Sequence, residues 1–400
     1  MPHSPDRPDR ILAAAKRIAA RQAALRRHLH QYPELSAREF RTSEYLAAAL
    51  RRLGLRLLAT TTDTGVLAEL QGVAGGRTVV VRSDIDALPI TERTGLPFAS
   101  KNPGCMHACG HDMHMAVVWG VAAVLSGLRG QIAGTVRFIF QPSEEMPPGG
   151  ARPMIESGAL TDASAVFGLH VDPHVRTGKI GLRDGPTMAA VTDFDLIVRG
   201  RSAHAARPHL GVDAITTAAE VIEAVQKVVA REIDPVEPAV ITFGQIEGGV
   251  ARNVVADEVR VAGTARTLSP RAEKAVPRLI RRVAENIGRA RGARVELRLI
   301  ADYPVLSNDP RANRVLARNM ERLYGRGRIE TTEVMLGGED FACYLKQAPG
   351  AMVRLGVGNR KIKADQPWHS PAFIADEAAL PVGTALLAAA VLDVLSGGLA

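Results

Sequence analysis

Cysteine and aromatic residues are both scarce in this chain. The three cysteines, Cys105, Cys109 and Cys343, are too few and of the wrong parity for a disulfide framework. They point to a reducing compartment instead. Aromatics make up 4% of the 400 residues, too few for the base-stacking surface that single-stranded nucleic acid requires. No secretory leader is expected, because MPHSPDRPDR runs into an Arg-studded helical pattern with no apolar core. The one long apolar stretch, LPVGTALLAAAVLDVLSGGLA, contains Asp393 and is bounded by glycines. It reads as a buried terminal helix rather than a membrane span. Internal repeats and low-complexity tracts are also lacking. Together these features predict a cytoplasmic protein with no membrane partner.

Net charge is +8. The basic residues concentrate at 21–30 and 278–298, where apolar residues interrupt them at helical spacing. Solvated helix faces account for that pattern, so no nucleic-acid partner is expected.

With 46% apolar and 23% charged residues, the composition is that of a globular protein, and the length suggests two domains. Segments 10–27 and 43–53 are helical by apolar spacing, with Gly54 as a C-cap. TVVVRSDIDALP at 78–89, TVRFIFQPSEE at 135–145 and AVFGLH at 165–170 are nearly continuous apolar runs that end in acidic residues or histidine. Continuous runs suggest strands buried on both faces. Helical segments at 114–128 and 152–157 separate them, a βαβ rhythm that implies an open, mainly parallel sheet. From about 191 the rhythm changes to strand 193–200, helix 212–230, strands 239–248 and 257–266 joined by GGVARNVVA, helix 270–289 and strand 293–301. That βαββαβ order predicts an inserted α+β, ferredoxin-like lid. The expected fold is therefore α/β: a split catalytic domain, 1–188 and 303–400, around a lid and dimerisation domain, 189–302.

In open α/β sheets, ligands bind beyond the C-terminal ends of the strands. Asp84, Asp86, Glu144, Glu145 and His170 stand at such ends, and His369 follows a late strand at 350–358. The stretch CMHACGHDMH at 105–114 enters the same crevice and adds Cys109 and His111. Five segments thus deliver metal-type ligands to one edge. A structural zinc finger is disfavoured, because Cys105 and Cys109 lack a second Cys or His pair. A Cys109 nucleophile with His111 as base is conceivable, but the abundance of carboxylates favours metal. Glu144 and Glu145 invite a division of labour, one binding metal and one moving protons. Asp86 suits the support of a ligand histidine through its other ring nitrogen. His107 and His114 read as supporting or surface residues, and His174 and His209 as surface residues in Pro-containing loops. In the lid, His204 is flanked by small residues and Asn253 lies in a Gly-rich turn, each a weak signal alone.

The motifs MHACGHDMH, QPSEE, GLH, GRSAHAARPHLGVDA, GGEDFA and WHSPAF, with RRHLHQYPELSAREF ahead of them, occur in an order that resembles one family. It is the aminoacylase–carboxypeptidase family of metallohydrolases, in particular its branch of hippurate, N-acyl-amino-acid and indole-acetyl-amino-acid hydrolases. The resemblance covers about 20–395. It implies two divalent metal ions held by Cys109, His111, Glu145, His170 and His369; a thiolate with three imidazoles suits zinc, with manganese, cobalt or nickel as alternatives. It further implies Glu144 as general acid/base, Asp86 as a supporting carboxylate, His204 as an oxyanion donor from the lid, and Asn253 and Arg266 near the substrate. The implied activity is hydrolysis of the amide of an N-acyl amino acid by a metal-activated water, in a homodimer or a dimer of dimers. A dipeptidase or carboxypeptidase of the same family, or a catalytically silent metal-binding homologue, is the alternative. MPPGGA after QPSEE, Arg201–Ser202 in the lid motif and Trp368 before His369 depart from the usual pattern. They bear on the pocket and remove no ligand.

Overall fold

The structure, a computed structural model, describes residues 7–399. Residues 1–6 and 400, the outer ends of the expected split domain, lie outside the described residues. The chain divides into two compact units. Met1–Gly185, Ser307–Glu333 and Cys343–Ala400 form the first, and Pro186–Leu306 with Val334–Ala342 the second.

The first unit is built on an eight-stranded sheet. In spatial order its strands are Arg56–Leu58, Val66–Gln71, Ala133–Gln141, Ala74–Asp84, Ala163–Arg176, Gly350–Gly358, Ile180–Leu182 and Ile329–Thr331. The central strands Ala133–Gln141, Ala74–Asp84, Ala163–Arg176 and Gly350–Gly358 pair in parallel, as their continuous apolar runs predicted. Antiparallel pairs join Val66–Gln71 to both of its neighbours and Gly350–Gly358 to Ile180–Leu182. Val79, Val81, Phe138, Phe140 and Phe167 are buried in the core. Each aromatic or branched side chain fully buried there contributes about 1.5–3 kcal/mol over its exposed state. Helices Arg7–Gln31, His111–Gly127 and Leu380–Gly397 pack together in this unit. The stretch Glu377–Gly397 is long and apolar enough to cross a membrane, yet 83% of its apolar 18-residue window is buried inside the protein.

The second unit is a ferredoxin-like α+β sandwich, the architecture expected from its βαββαβ order. Its four strands are Ala239–Gly248, Glu258–Thr267, Ala190–Arg199 and Arg294–Tyr303 in spatial order, all antiparallel. Helices Ala214–Glu232 and Pro270–Ala290 cover one face, with Val221, Val225, Val276 and Ile280 packed on Phe194, Leu196 and Val198. Asp213 and Ser269 cap the two helix starts with side-chain bonds to backbone N–H groups.

Four details differ from the sequence reading. The helix expected from 114 begins at His111, so His111 lies on a helix and only Cys109 lies in the turn before it. His174 belongs to the strand Ala163–Arg176, not to a loop. The link GGVARNVVA contains a short strand, Val254–Val255, that pairs with Ala203–His204. Strands Arg56–Leu58 and Val66–Gln71 and the helix Pro310–Tyr324 went unread, although Asp309 as cap, Pro310 at the first turn and Gly325 after the last mark that helix in sequence.

Candidate metal centre

Strand ends and one helix start converge in the first unit. Asp84 ends its strand, Glu144 and Glu145 follow the strand Ala133–Gln141, and His170 lies within Ala163–Arg176. His111 opens its helix behind Gly110, whose φ of +85° turns the chain. His369 also has a positive φ, +63°, and its backbone N–H donates to the carbonyl of Ala108 at 3.0 Å. That bond ties the WHSPAF loop to the turn carrying Cys109. A left-handed histidine costs about 1–3 kcal/mol and persists where its surroundings hold it.

The donor atoms meet. Cys109 Sγ lies 3.5 Å from His170 Nε2. Glu145 Oε1 lies 3.3 Å from His369 Nε2 and 3.7 Å from His111 Nε2. Ligand atoms of Cys109, His111 and His170 fall within 4.8 Å of one another, as do those of Cys109, Glu145 and His369, and those of His111, Glu144 and Glu145. Cys109, His111, Glu144 and His170 are buried, whereas the His369 side chain is 53% exposed.

The histidines are aimed by their other nitrogens. His111 donates from Nδ1 to the carbonyl oxygen of Asp86 at 2.9 Å. His170 donates from Nδ1 to the carbonyl of Val171 at 2.8 Å. In both rings Nε2 is left for the cluster, the orientation in which imidazole ligates metals. The Asp86 carboxylate accepts the Glu145 backbone N–H at 2.9 Å and the Ser36 hydroxyl at 2.7 Å. Asp112, next to His111, is bound by Arg26 at 2.6 Å and His30 at 2.9 Å, which anchors the helix start to the first helix.

The donor set fits a bound cation. His111 Nε2 and Glu145 Oε1 are buried and make no hydrogen bond, although they face each other across the cluster. Such atoms are costly unless a cation or water satisfies them. Burial pulls the His111 pKa down, but Asp84, Asp86 and Glu145 outweigh it and push it up to about 10, so this position favours positive charge. His170 is held well below the ordinary histidine range by burial and by the nearby His114 and Arg354, which keeps it a neutral donor. Burial, with Glu145 and Glu144 beside it, drives the Cys109 thiol well up. That is the reverse of what a free thiolate nucleophile needs.

Two residues outside the expected set complete the site. His114 donates from Nδ1 to Asp84 at 2.6 Å, and its Nε2 accepts the Val171 N–H at 2.9 Å. The Trp368 indole donates to the Val171 carbonyl at 2.9 Å. The three-residue spacing of His111 and His114 was the available signal, since it puts both on one helix face. His107 is buried, with neither ring nitrogen hydrogen-bonded, and His174 and His209 are exposed.

Among the residues assigned to the lid, His204 and Asn253 are exposed neighbours in the second unit. His204 pairs with Val254, and the Ala205 N–H donates to the Asn253 carbonyl at 3.0 Å. The Ala206 N–H donates to His204 Nδ1 at 3.0 Å, which leaves Nε2 as the ring's donor. Arg266 is half-buried on a different strand, Glu258–Thr267, opposite Val191 and Val240.

A mainly parallel sheet whose strand ends gather a thiol, imidazoles and carboxylates in this way defines a metal-dependent hydrolase. Residues 80–393 match the model of Peptidase family M20/M25/M40. The chain is 39% identical over 383 residues to N-acetylcysteine deacetylase of Bacillus subtilis, covering 96% of this chain and 99% of that protein. It is 38% identical over 362 residues to thermostable carboxypeptidase 1 of Saccharolobus solfataricus, covering 90% and 91%. The crystal structure of the Bacillus subtilis YXEP protein, described as a dinuclear metal binding peptidase from the M20 family, superposes with a TM-score of 0.82 at 37% identity, covering 95% and 99% of the two chains. The chain belongs to Peptidase family M20/M25/M40 and is a hydrolase of amide C–N bonds.

Proposed function

We propose that this enzyme deacylates N-acyl amino acids, with Cys109, His111, Glu145, His170 and His369 holding two divalent cations and Glu144 carrying the proton. The observation that carries this reading is the meeting of those five donors, with His111 Nε2 and Glu145 Oε1 unbonded, beside the buried Glu144. The deacetylase relative, matched over nearly its full length, supports the substrate class. Bound there, divalent cations polarise an amide carbonyl and lower the pKa of water.

The chain's own groups supply the rest. Glu144 takes a proton from the attacking water and returns it to the amide nitrogen, which is a poor leaving group until protonated. Asp86 holds the Glu145 N–H with its carboxylate and His111 Nδ1 with its backbone carbonyl, so both residues keep their aim. In this reading His204 donates to the oxyanion, and Asn253 and Arg266 hold the substrate. Zinc as the metal, a homodimer and a cytoplasmic setting belong to the same reading. Three buried cysteines, none in a disulfide, support the last.

The carboxypeptidase relative favours a second reading, cleavage of dipeptides. Purified enzyme should be assayed with N-acetyl and N-benzoyl amino acids beside dipeptides, comparing kcat/KM. A preference of at least ~10-fold for the acyl compounds is expected, about 1.4 kcal/mol in transition-state binding. The reverse preference would replace the proposal with the second reading.

A further inference from the structure

The residue before Glu144 is strained. Ser143 has φ +55°, a left-handed conformation that residues with a Cβ rarely adopt. Two long-range bonds hold it there. Its backbone N–H donates to Glu39 Oε1 at 2.8 Å. Its hydroxyl accepts the backbone N–H of Ala37, itself at φ +61°, at 2.9 Å.

Glu39 is an unusual residue to find here. It is 0% exposed. No Lys or Arg pairs with it among the described residues, and its other oxygen accepts the Thr64 hydroxyl at 2.9 Å. Burial lifts its carboxyl above the ordinary range. Burying an acid without a cation is costly, and what this one gains is a grip on a peptide group. Ser36, three residues earlier, donates to Asp86, whose same oxygen accepts the Glu145 N–H. The backbone N–H groups of the residues before and after Glu144 are therefore tied, one to Glu39 and one to Asp86, and both ties are backed by the segment 36–39.

We propose that Glu39 is a positioning residue for the acid–base carboxylate: it holds the Ser143 peptide in its left-handed turn and so fixes the direction in which Glu144 projects. The proposal rests on Glu144 being the proton carrier. It predicts an effect on the chemical step with little effect on substrate binding, because nothing in the clamp involves substrate. A displacement of about 1 Å in a reacting group can cost ~100-fold in rate.

The test compares Glu39→Gln, Glu39→Asp, Glu39→Ala, Thr64→Val and Glu144→Gln in the metal-loaded full chain. Steady-state kinetics with an N-acetyl amino acid, bound metal and melting temperature are recorded on the same samples. Glu39→Gln keeps an oxygen for the Ser143 N–H and should hold kcat within ~3-fold of the parent. Glu39→Asp retracts the carboxylate by one methylene and should lower kcat ~10-fold or more, at unchanged metal content and a KM within ~3-fold. Glu39→Ala should lose more, and if it does not fold, Glu39→Asp decides. Thr64→Val touches only the far oxygen of Glu39. It should lower the melting temperature and leave kcat within ~2-fold. Parental kcat in Glu39→Asp overturns the proposal, and so does equal loss in Thr64→Val and Glu39→Asp, which would mean general loosening. Loss of kcat in Glu39→Gln equal to that in Glu39→Asp overturns it as well. An active Glu144→Gln would instead remove the proton-carrier reading beneath it, whereas an inactive Glu144→Gln beside a fully active Glu39→Asp would remove the clamp alone.

Discussion

The backbone N–H of Val171 donates to the Nε2 of His114 at 2.9 Å. An N–H donor there requires an unprotonated Nε2, so the ring carries its proton on Nδ1, where Asp84 accepts it at 2.6 Å. Both nitrogens of His114 are thereby used, although His114 lies within reach of Asp84 and His111. The Val171 carbonyl, in the next peptide unit, accepts from His170 and from Trp368. The backbone of one residue thus orients three rings.

Replacing that ring exposes what it satisfies. His114→Leu leaves Asp84 Oδ1 and the Val171 N–H without their partner, while Asp84 Oδ2 keeps the Arg82 guanidinium at 2.8 Å. The expected cost is about 1–3 kcal/mol for each orphaned group. Loss of the supporting ring should also weaken metal binding ~10–100-fold. Denaturant unfolding and metal titration measure the two effects, and unchanged values in both would show that the ring is dispensable.

Glu144→Gln removes a proton carrier and preserves shape. Turnover should fall ~10²–10⁴-fold, with bound metal and melting temperature retained. Substantial residual kcat would exclude Glu144 from that role.

A chelator should remove activity and also lower the melting temperature, because cations that bind only the folded chain stabilise it by mass action. In the stripped protein the carboxylates around His111 and Cys109 lose that compensation. Adding back zinc or manganese should restore both readouts. A melting temperature indifferent to chelator would contradict a centre formed by these donors.

Gly110→Ala tests the turn that presents Cys109 and His111. At φ +85° an added Cβ is strained, and it would stand 2.5 Å from Val171 Cγ2 and 3.3 Å from the Phe373 ring. A loss of about 1–3 kcal/mol is expected, together with reduced metal content, because the turn must shift to relieve the clash. Full stability and full metal content in this variant would show that the turn relaxes freely.

Glu69, which is outside the donor cluster, gives a pH-dependent prediction. Its carboxylate is bound by Arg137 at 2.6 Å and by Arg56 at 2.5 Å. Burial raises its pKa, but Arg137 and Arg56 outweigh burial and leave it below the ordinary 4.5. A folded pKa depressed below the unfolded value means that the stabilisation is present above about pH 4.5 and fades as pH falls through the folded value. Glu69→Gln should therefore cost about 1–3 kcal/mol at pH 7, since Arg137 keeps the Gly158, Ala159 and Thr161 carbonyls, and less under strongly acidic conditions. Urea midpoints of parent and variant across that range measure it, and a gap that does not narrow on acidification counts against the pair.

Parts of this outcome were legible in the chain and parts were not, for reasons visible in particular residues. Val79, Val80 and Val81 read as a doubly buried strand, because a parallel sheet covered on both faces needs apolar side chains at every position. Val66–Gln71 has a similar burial pattern but carries no such signal in sequence, since VLAELQ places Glu69 within the run. Only the structure supplies its partner, Arg137 of the neighbouring strand. At the site, the types and order of the chemical groups were readable, and Asp86 was expected to support a histidine. For His114 a supporting or a surface place was readable but not its partners, and the role of Glu39 was not readable, because Val171 and Ser143 lie 57 and 104 positions away in the sequence.

By itself, then, the sequence determined the α/β class, the family and the stock of thiol, imidazole and carboxylate groups, because those follow from local apolar patterning and short motifs. The tertiary structure alone decided which nitrogen of each histidine faces the cluster, which acid lies buried without a cation, and which peptide groups hold Glu144 on either side. Each of those depends on hydrogen bonds between distant segments, and only the folded backbone sets their direction.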